Sequence, residues 1–201
     1  AGTDGSRGAG EGSLLTNAPT AQRSTLAGEL IFVLYAVGWL LVVLAATMLL
    51  PAAVDAAADH PDAVGFFLGA AVTLFFGIAL ILSCQAPHPK PQVRTAFLLT
   101  SASWIAVTFF GAVPFQLSEL KLSFTDAVFE TMSGITTTGS TVITGLDQVP
   151  PGVLLWRSLL HLLGGIGIVV ISIVILPFLG IGGMQLFRTE SSDRSAKLLP
   201  S

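Results

Sequence analysis

Residues Ser123–Ile143 read SFTDAVFETMSGITTTGSTVI, a stretch flanked by long apolar runs yet itself too polar to cross a bilayer. Its first half reads as a short helix. Its second half is an extended threonine–glycine run, Thr136-Thr137-Thr138-Gly139-Ser140-Thr141. A bilayer tolerates irregular backbone at depth only where protein or a wet cavity surrounds it. Ion-selectivity filters are built this way, with backbone carbonyls replacing the hydration shell of the ion. An ordinary surface loop uses the same residue types, so the flanking segments have to decide.

Those segments belong to a membrane. Only 10% of the 201 residues are charged and 52% are hydrophobic, against about 25% charged in soluble domains. Four apolar runs, Leu30–Val54, Val64–Ser83, Thr95–Leu117 and Val153–Leu179, reach the roughly 20 residues a membrane helix needs. The predicted class is an all-α integral membrane protein in contact with lipid. The net charge of −3 matters less than where the charges sit. One cysteine, Cys84, excludes an intramolecular disulfide framework. His60, His88 and His161 share no ligand spacing, so no resident metal is expected, and no bound cofactor or nucleic-acid partner either. Residues 1–28 lack the apolar core of a signal peptide and are rich in small polar residues, which predicts a flexible arm.

Charge placement orients the helices. Arg7 and Arg23 precede the first run, Lys90 and Arg94 separate the second and third, and Arg188, Arg194 and Lys197 follow the fourth. The connection PAAVDAAADHPDAVG carries Asp55, Asp59 and Asp62 without Lys or Arg. Positive-inside bias puts both termini and the 84–94 connection in the cytoplasm of an inner-membrane protein. The chain between the third and fourth runs must then start and finish outside, and Ser123–Ile143 must enter and leave by one face as a re-entrant loop.

Local chemistry agrees. Ser123 with Asp126 fits an N-capping pattern. A helix from Ser123 to Gly134 would be roughly 18 Å long, about half the hydrocarbon thickness. Gly134 can end it, leaving a carbonyl end of partial negative charge inside the membrane, where a cation could dwell. Gly139 allows backbone angles that put successive carbonyls on one side. The fourth run starts after Pro150-Pro151 and contains Gly164-Gly165-Ile166-Gly167, small residues that admit a neighbouring backbone. That neighbour is either the short helix or an ordinary helix partner. Pro177 should kink the inner end, before Gly180-Ile181-Gly182-Gly183.

Two segments carry a family resemblance: FTDAVFETMSGITTTGSTV (Phe124–Val142) and LLWRSLLHLLGGIGIVVISIVILPFLGIGGMQLFRTE (Leu154–Glu190). Together they resemble the Trk/Ktr/HKT-type potassium transporters, above all the TrkH-like subunits. The resemblance implies four helix–pore loop–helix repeats around a pore, of which residues 95–190 would be the first. Residues 29–84 correspond to the extra N-terminal helix pair of TrkH-like members. Residues 191–201 would lead into the remainder of the transporter. It further implies that Thr136, Thr137, Thr138 and Gly139 form one filter segment, supported by Glu130, Ser140 and Arg157, with K+ as the transported ion. A homodimer and a cytosolic nucleotide-binding regulatory subunit of the TrkA/KtrA kind are implied partners. The pattern departs at His161, where an amide-like residue would be expected.

Glu130 at membrane depth is expected to brace the filter by hydrogen bonds rather than coordinate the ion. Arg157 is expected to anchor the loop or reach the interface, and His161 to be a satisfied packing residue. Trp39, Trp104 and Trp156 suit either an interface or the core. The leading functional expectation is potassium uptake through a gated pore. A sodium-permeable or sodium-coupled relative and a four-copy channel subunit are the alternatives. A structural scaffold is a weaker reading, and an intramembrane hydrolase using Ser133 and His161 is disfavoured, since no G-x-S-x-G motif occurs.

Overall fold

The computed structural model describes residues 18–85 and 93–175, with side chains described from 26 to 85 and 93 to 173. The elements run α1 (Ala18–Ala57), α2 (Asp62–Ser83), α3 (Val93–Leu117), α4 (Phe124–Ile135), a 3-10 turn (Leu146–Gln148) and α5 (Pro151–Ile175). No strand occurs among the described residues. Among the described residues, four helices are long and apolar enough to span a bilayer, over Leu26–Ala57, Asp62–Ser83, Val93–Leu117 and Pro151–Ile173. The chain is an all-helical integral membrane protein, as its composition predicted. Pro177, the Gly180–Gly183 run and residues 191–201 lie outside the described residues, as do Arg7, Lys90 and His88.

One boundary differs from expectation. α1 begins at Ala18, so residues 18–28, predicted as part of a flexible arm, are helical. Low hydropathy argues against membrane burial but not against helix. Pro19 falls in the first turn, where no backbone donor is needed, and Ala21, Gln22, Arg23, Leu26 and Ala27 are good helix formers.

α1 buries a stripe at helical spacing: Val33, Val37, Leu41, Leu44, Met48 and Ala52. It packs on α2 through mutual close approach. A β-carbon at Gly38 would stand 2.9 Å from the Gly77 carbonyl oxygen, and one at Gly77 would stand 3.0 Å from that of Gly38. Such small-residue crossings let helix backbones meet in a membrane, where dispersion rather than water exclusion drives association. Phe66 of α2 meets Trp156 of α5 edge-on at 6.3 Å. The indole N–H of Trp156 donates to the Gly111 carbonyl of α3 at 3.0 Å. Trp156 is therefore a core residue, whereas Trp39 is 52% exposed. Phe75, Leu82 and Val64 stand outward from α2, as side chains facing lipid or further protein do.

Two hydrogen bonds decide how the ends are arranged. Asp55 Oδ1 accepts the Gly152 N–H at 2.6 Å, and Asp62 Oδ1 accepts the Glu119 N–H at 2.8 Å. The end of α1, the start of α2, the end of α3 and the start of α5 thus share one end of the bundle. A Glu29–Arg94 ion pair at 3.8 Å joins α1 to the start of α3. The chain leaving α3 and the chain entering α5 do so from the same end.

Candidate functional site

Everything between α3 and α5 is organised by α4. Its N-cap forms as the sequence predicts: Ser123 Oγ accepts the Asp126 N–H at 3.2 Å and donates to the Asp126 carboxylate at 2.7 Å. The helix runs to Ile135, one residue beyond the predicted end at Gly134. The residue in left-handed conformation after the helix is Thr137, with φ 58°, not Gly134. Gly134 serves packing instead, because a β-carbon there would stand 3.0 Å from Leu160 Cβ.

Neighbouring contacts give the direction of α4. Thr131 faces Gly111, and Thr108 Oγ1 donates to Met132 Sδ at 3.3 Å, so α4 runs antiparallel to α3. Gly134 meets Leu160, and the Ile135 carbonyl sits where a β-carbon of Gly164 would be, so α4 runs parallel to α5. Gly164 lies about 20 Å along α5 from Pro151. Of the glycine run, Gly164 meets the short helix, while Gly165 and Gly167 have no described atom within 4 Å of a β-carbon.

After Ile135 the chain turns back. The N–H groups of Thr136 and Thr137 bond to the carbonyls of Met132 and Gly134, both at 2.9 Å. Those of Thr138 and Gly139 both point at the Ser133 carbonyl, at 3.0 and 3.4 Å. Gly139 has φ 80°, a conformation that costs an L-residue a clash between its β-carbon and backbone oxygen. The carbonyl oxygens of Thr136, Thr137, Thr138 and Gly139 accept no hydrogen bond from a described residue. The Thr136 hydroxyl donates to the Met132 carbonyl at 2.7 Å and lies 2.9 Å from the Thr138 hydroxyl. Thr137 through Val142 are exposed on the open side.

The extended return stretch is pinned to α4 at two levels. Ser133 Oγ donates to the Ser140 carbonyl at 2.6 Å. Glu130 Oε1 accepts from Thr141 Oγ1 and the Val142 N–H, both at 2.6 Å, and from the Ile143 N–H at 3.3 Å. Glu130 is 1% exposed. Its Oε2 lies 3.3 Å from Arg157 Nε of α5 without an aligned hydrogen bond, so that contact is charge pairing. The fold therefore gathers Glu130, Thr136–Gly139, Ser140 and Arg157 in one place. Ser133 is a brace that the sequence brought up only as a hydrolase nucleophile. Its hydroxyl is engaged by Ser140, and His161 Nδ1 lies 2.8 Å from the Arg157 carbonyl. His161 also faces the hairpin: its Nε2 is 3.8 Å from where a Gly139 β-carbon would stand.

This geometry has known relatives. Residues 63–201 match the TrkH cation transport protein family. The Trk system potassium uptake protein TrkI of Halomonas elongata is 44% identical over 167 residues, covering 82% of this chain and 33% of that protein. TrkH of Escherichia coli K12 is 39% identical over 161 residues, covering 77% and 32%. The crystal structure of the potassium transporter TrkH from Vibrio parahaemolyticus superposes with a TM-score of 0.70 at 33% identity, covering 84% of this chain and 36% of that one. The chain spans about a third of the length of the curated relatives it matches. With a family match over more than half of its residues and a shared helical arrangement, the chain belongs to the TrkH family of cation transport proteins.

Proposed function

We propose that this chain supplies one wall of a potassium-conducting pore, the first of four, with Thr136–Gly139 as its selectivity-filter segment. The observation that carries the reading is the set of four carbonyls at Thr136–Gly139 left without donors while their own N–H groups fold back onto α4. Unpartnered carbonyls on an exposed stretch are what a dehydrated K+ requires as replacement for water. The carbonyl end of α4 adds a partial negative charge beside them. Glu130 braces this stretch rather than binding the ion, because its Oε1 is saturated by three donors and Arg157 balances its charge. The Thr136 hydroxyl ties the turn to the Met132 carbonyl, and the Thr138 hydroxyl meets that of Thr136.

In this reading α4 and its return stretch form a re-entrant pore loop. The shared bundle end of α3 and α5, held by Asp62 and Asp55, supports entry and exit by one face. The remaining walls come from the rest of a longer transporter, whose relatives are named for potassium uptake. The pore is gated, both termini are cytoplasmic, and the assembly is an inner-membrane dimer with a cytosolic nucleotide-binding regulator of the TrkA/KtrA kind.

Gly139→Asp in the intact protein tests the reading, in a bacterial strain without other potassium uptake. Rubidium uptake should be lost while membrane insertion persists, and Gly139→Ser should retain uptake with weaker discrimination against sodium. Undiminished rubidium uptake in the Asp variant would remove Gly139 from the filter. Sodium flux equal to rubidium flux in the unaltered protein would favour the sodium-permeable alternative.

A further inference from the structure

A second polar cluster lies at the shared end of the bundle, where the α1–α2 turn meets α3 and α5. It consists of Asp55, His60 and Asp62, each offering one ligand atom, all within 4.8 Å of one another. We propose that this cluster is a binding site for a divalent transition-metal cation of the Zn2+ class, separate from the ion path.

Burial and incomplete pairing carry the inference. Asp55 is 0% and Asp62 3% exposed. Each spends Oδ1 on one backbone N–H, from Gly152 and Glu119 respectively. Each keeps Oδ2 buried with no hydrogen-bond partner. Neither is paired with Lys or Arg among the described residues. Two close carboxylates withdrawn from water require a counter-charge, and a cation between them supplies one. Space is reserved for this arrangement, since a β-carbon at Gly152 would overlap the Asp55 carboxylate.

The donor set indicates the kind of ion. Ligand atoms around one cation stand at most about 4–5 Å apart, twice a typical bond length, so the cluster needs little movement to close. Two carboxylate oxygens and an imidazole nitrogen suit Zn2+ and its neighbours, whereas Ca2+ and Mg2+ prefer all-oxygen shells. The Asp62 N–H reaches His60 Nδ1 at 3.3 Å, a long bond that a metal at this nitrogen replaces. His60 Nε2 lies 3.9 Å from the Glu119 carboxylate, which faces the ring nitrogen left over when Nδ1 takes the metal and so helps to orient the imidazole. The turn is shaped to present the ring: Asp59 has φ 52°, and the His60 N–H closes the turn on the Asp55 carbonyl at 2.8 Å. Histidine spacing alone hides this site. The sequence signal is Asp-x4-His-x-Asp, with carboxylates rather than a second histidine.

A bound metal would tie the α1–α2 turn to the two places where the α4 hairpin is anchored, at Glu119 and Gly152. The test uses the intact protein in detergent, stripped with chelator and dialysed against Zn2+. One Zn2+ per chain is expected by atomic emission, with at least a tenfold weaker Kd in His60→Gln and in Asp62→Asn. Zn2+ should raise the Tm of the unaltered protein but not of His60→Gln, a change confined to a partly exposed side chain. Absence of Zn2+ from the unaltered protein, or equal affinity in His60→Gln, overturns the site. Displacement of Zn2+ by millimolar Ca2+ would equally overturn the assignment to this class of metal.

Discussion

Gly164 of α5 lies so close to Ile135 that a β-carbon on it would overlap the Ile135 carbonyl oxygen. The last turn of the short helix is thereby seated against the middle of a spanning helix. Gly164→Ala should push α4 from α5, at about 1–3 kcal/mol or more of overpacking cost. Gly165→Ala meets no described atom and should instead gain about 0.5–1 kcal/mol from helix propensity. Thermal unfolding of the two variants in detergent should shift in opposite directions. A similar loss of Tm in both would place the critical contact elsewhere.

Glu130 and Arg157 should behave as a coupled pair. Glu130→Ala strips three donors of their acceptor and leaves a largely buried guanidinium uncompensated, for a loss of about 3–5 kcal/mol. Glu130→Gln keeps an acceptor for the Val142 N–H but not the charge, so its loss should be smaller. A double-mutant cycle of Glu130→Gln with Arg157→Gln should give a coupling of about 1 kcal/mol or more. Strict additivity would show that the 3.3 Å contact contributes nothing.

Backbone strain at the turn makes its own prediction. Thr137 carries φ 58° and Gly139 φ 80°. Thr137→Gly should relieve about 1–2 kcal/mol of left-handed strain and raise Tm. Gly139→Ala should lose a similar amount, although its nearest neighbour, His161 Nε2, is a comfortable 3.8 Å away. The penalty is conformational, so adding His161→Ala should not restore stability. Rescue by that second change would reveal a steric cause instead.

Orientation can be read by thiol labelling. Cysteines at Ala57 and Gln148, both exposed near the end where α1 stops and α5 starts, should react with an impermeant external reagent in intact cells. A cysteine at Gln92, in the basic connection, should react only after permeabilisation. Labelling of position 92 from outside would invert the assigned topology.

The four apolar runs, the capped short helix and the contiguous threonine–glycine stretch after it were legible in the sequence by itself, for local reasons. Run length is matched to bilayer thickness, Ser123 and Asp126 stand at capping distance along the chain, and Thr136–Gly139 are contiguous. The arm was misjudged at residues 18–28 because polarity reports on solvent rather than on helix. What only the tertiary structure decided are relations between residues far apart in the chain. Gly134 spaces α4 from Leu160 instead of ending a helix, Ser133 holds Ser140, and Asp55 reaches Gly152 across 97 positions. Periodicity and propensity act over a few residues, whereas these contacts arise when helix faces are brought together. There, a missing β-carbon or a buried carboxylate acquires its meaning from the atom opposite.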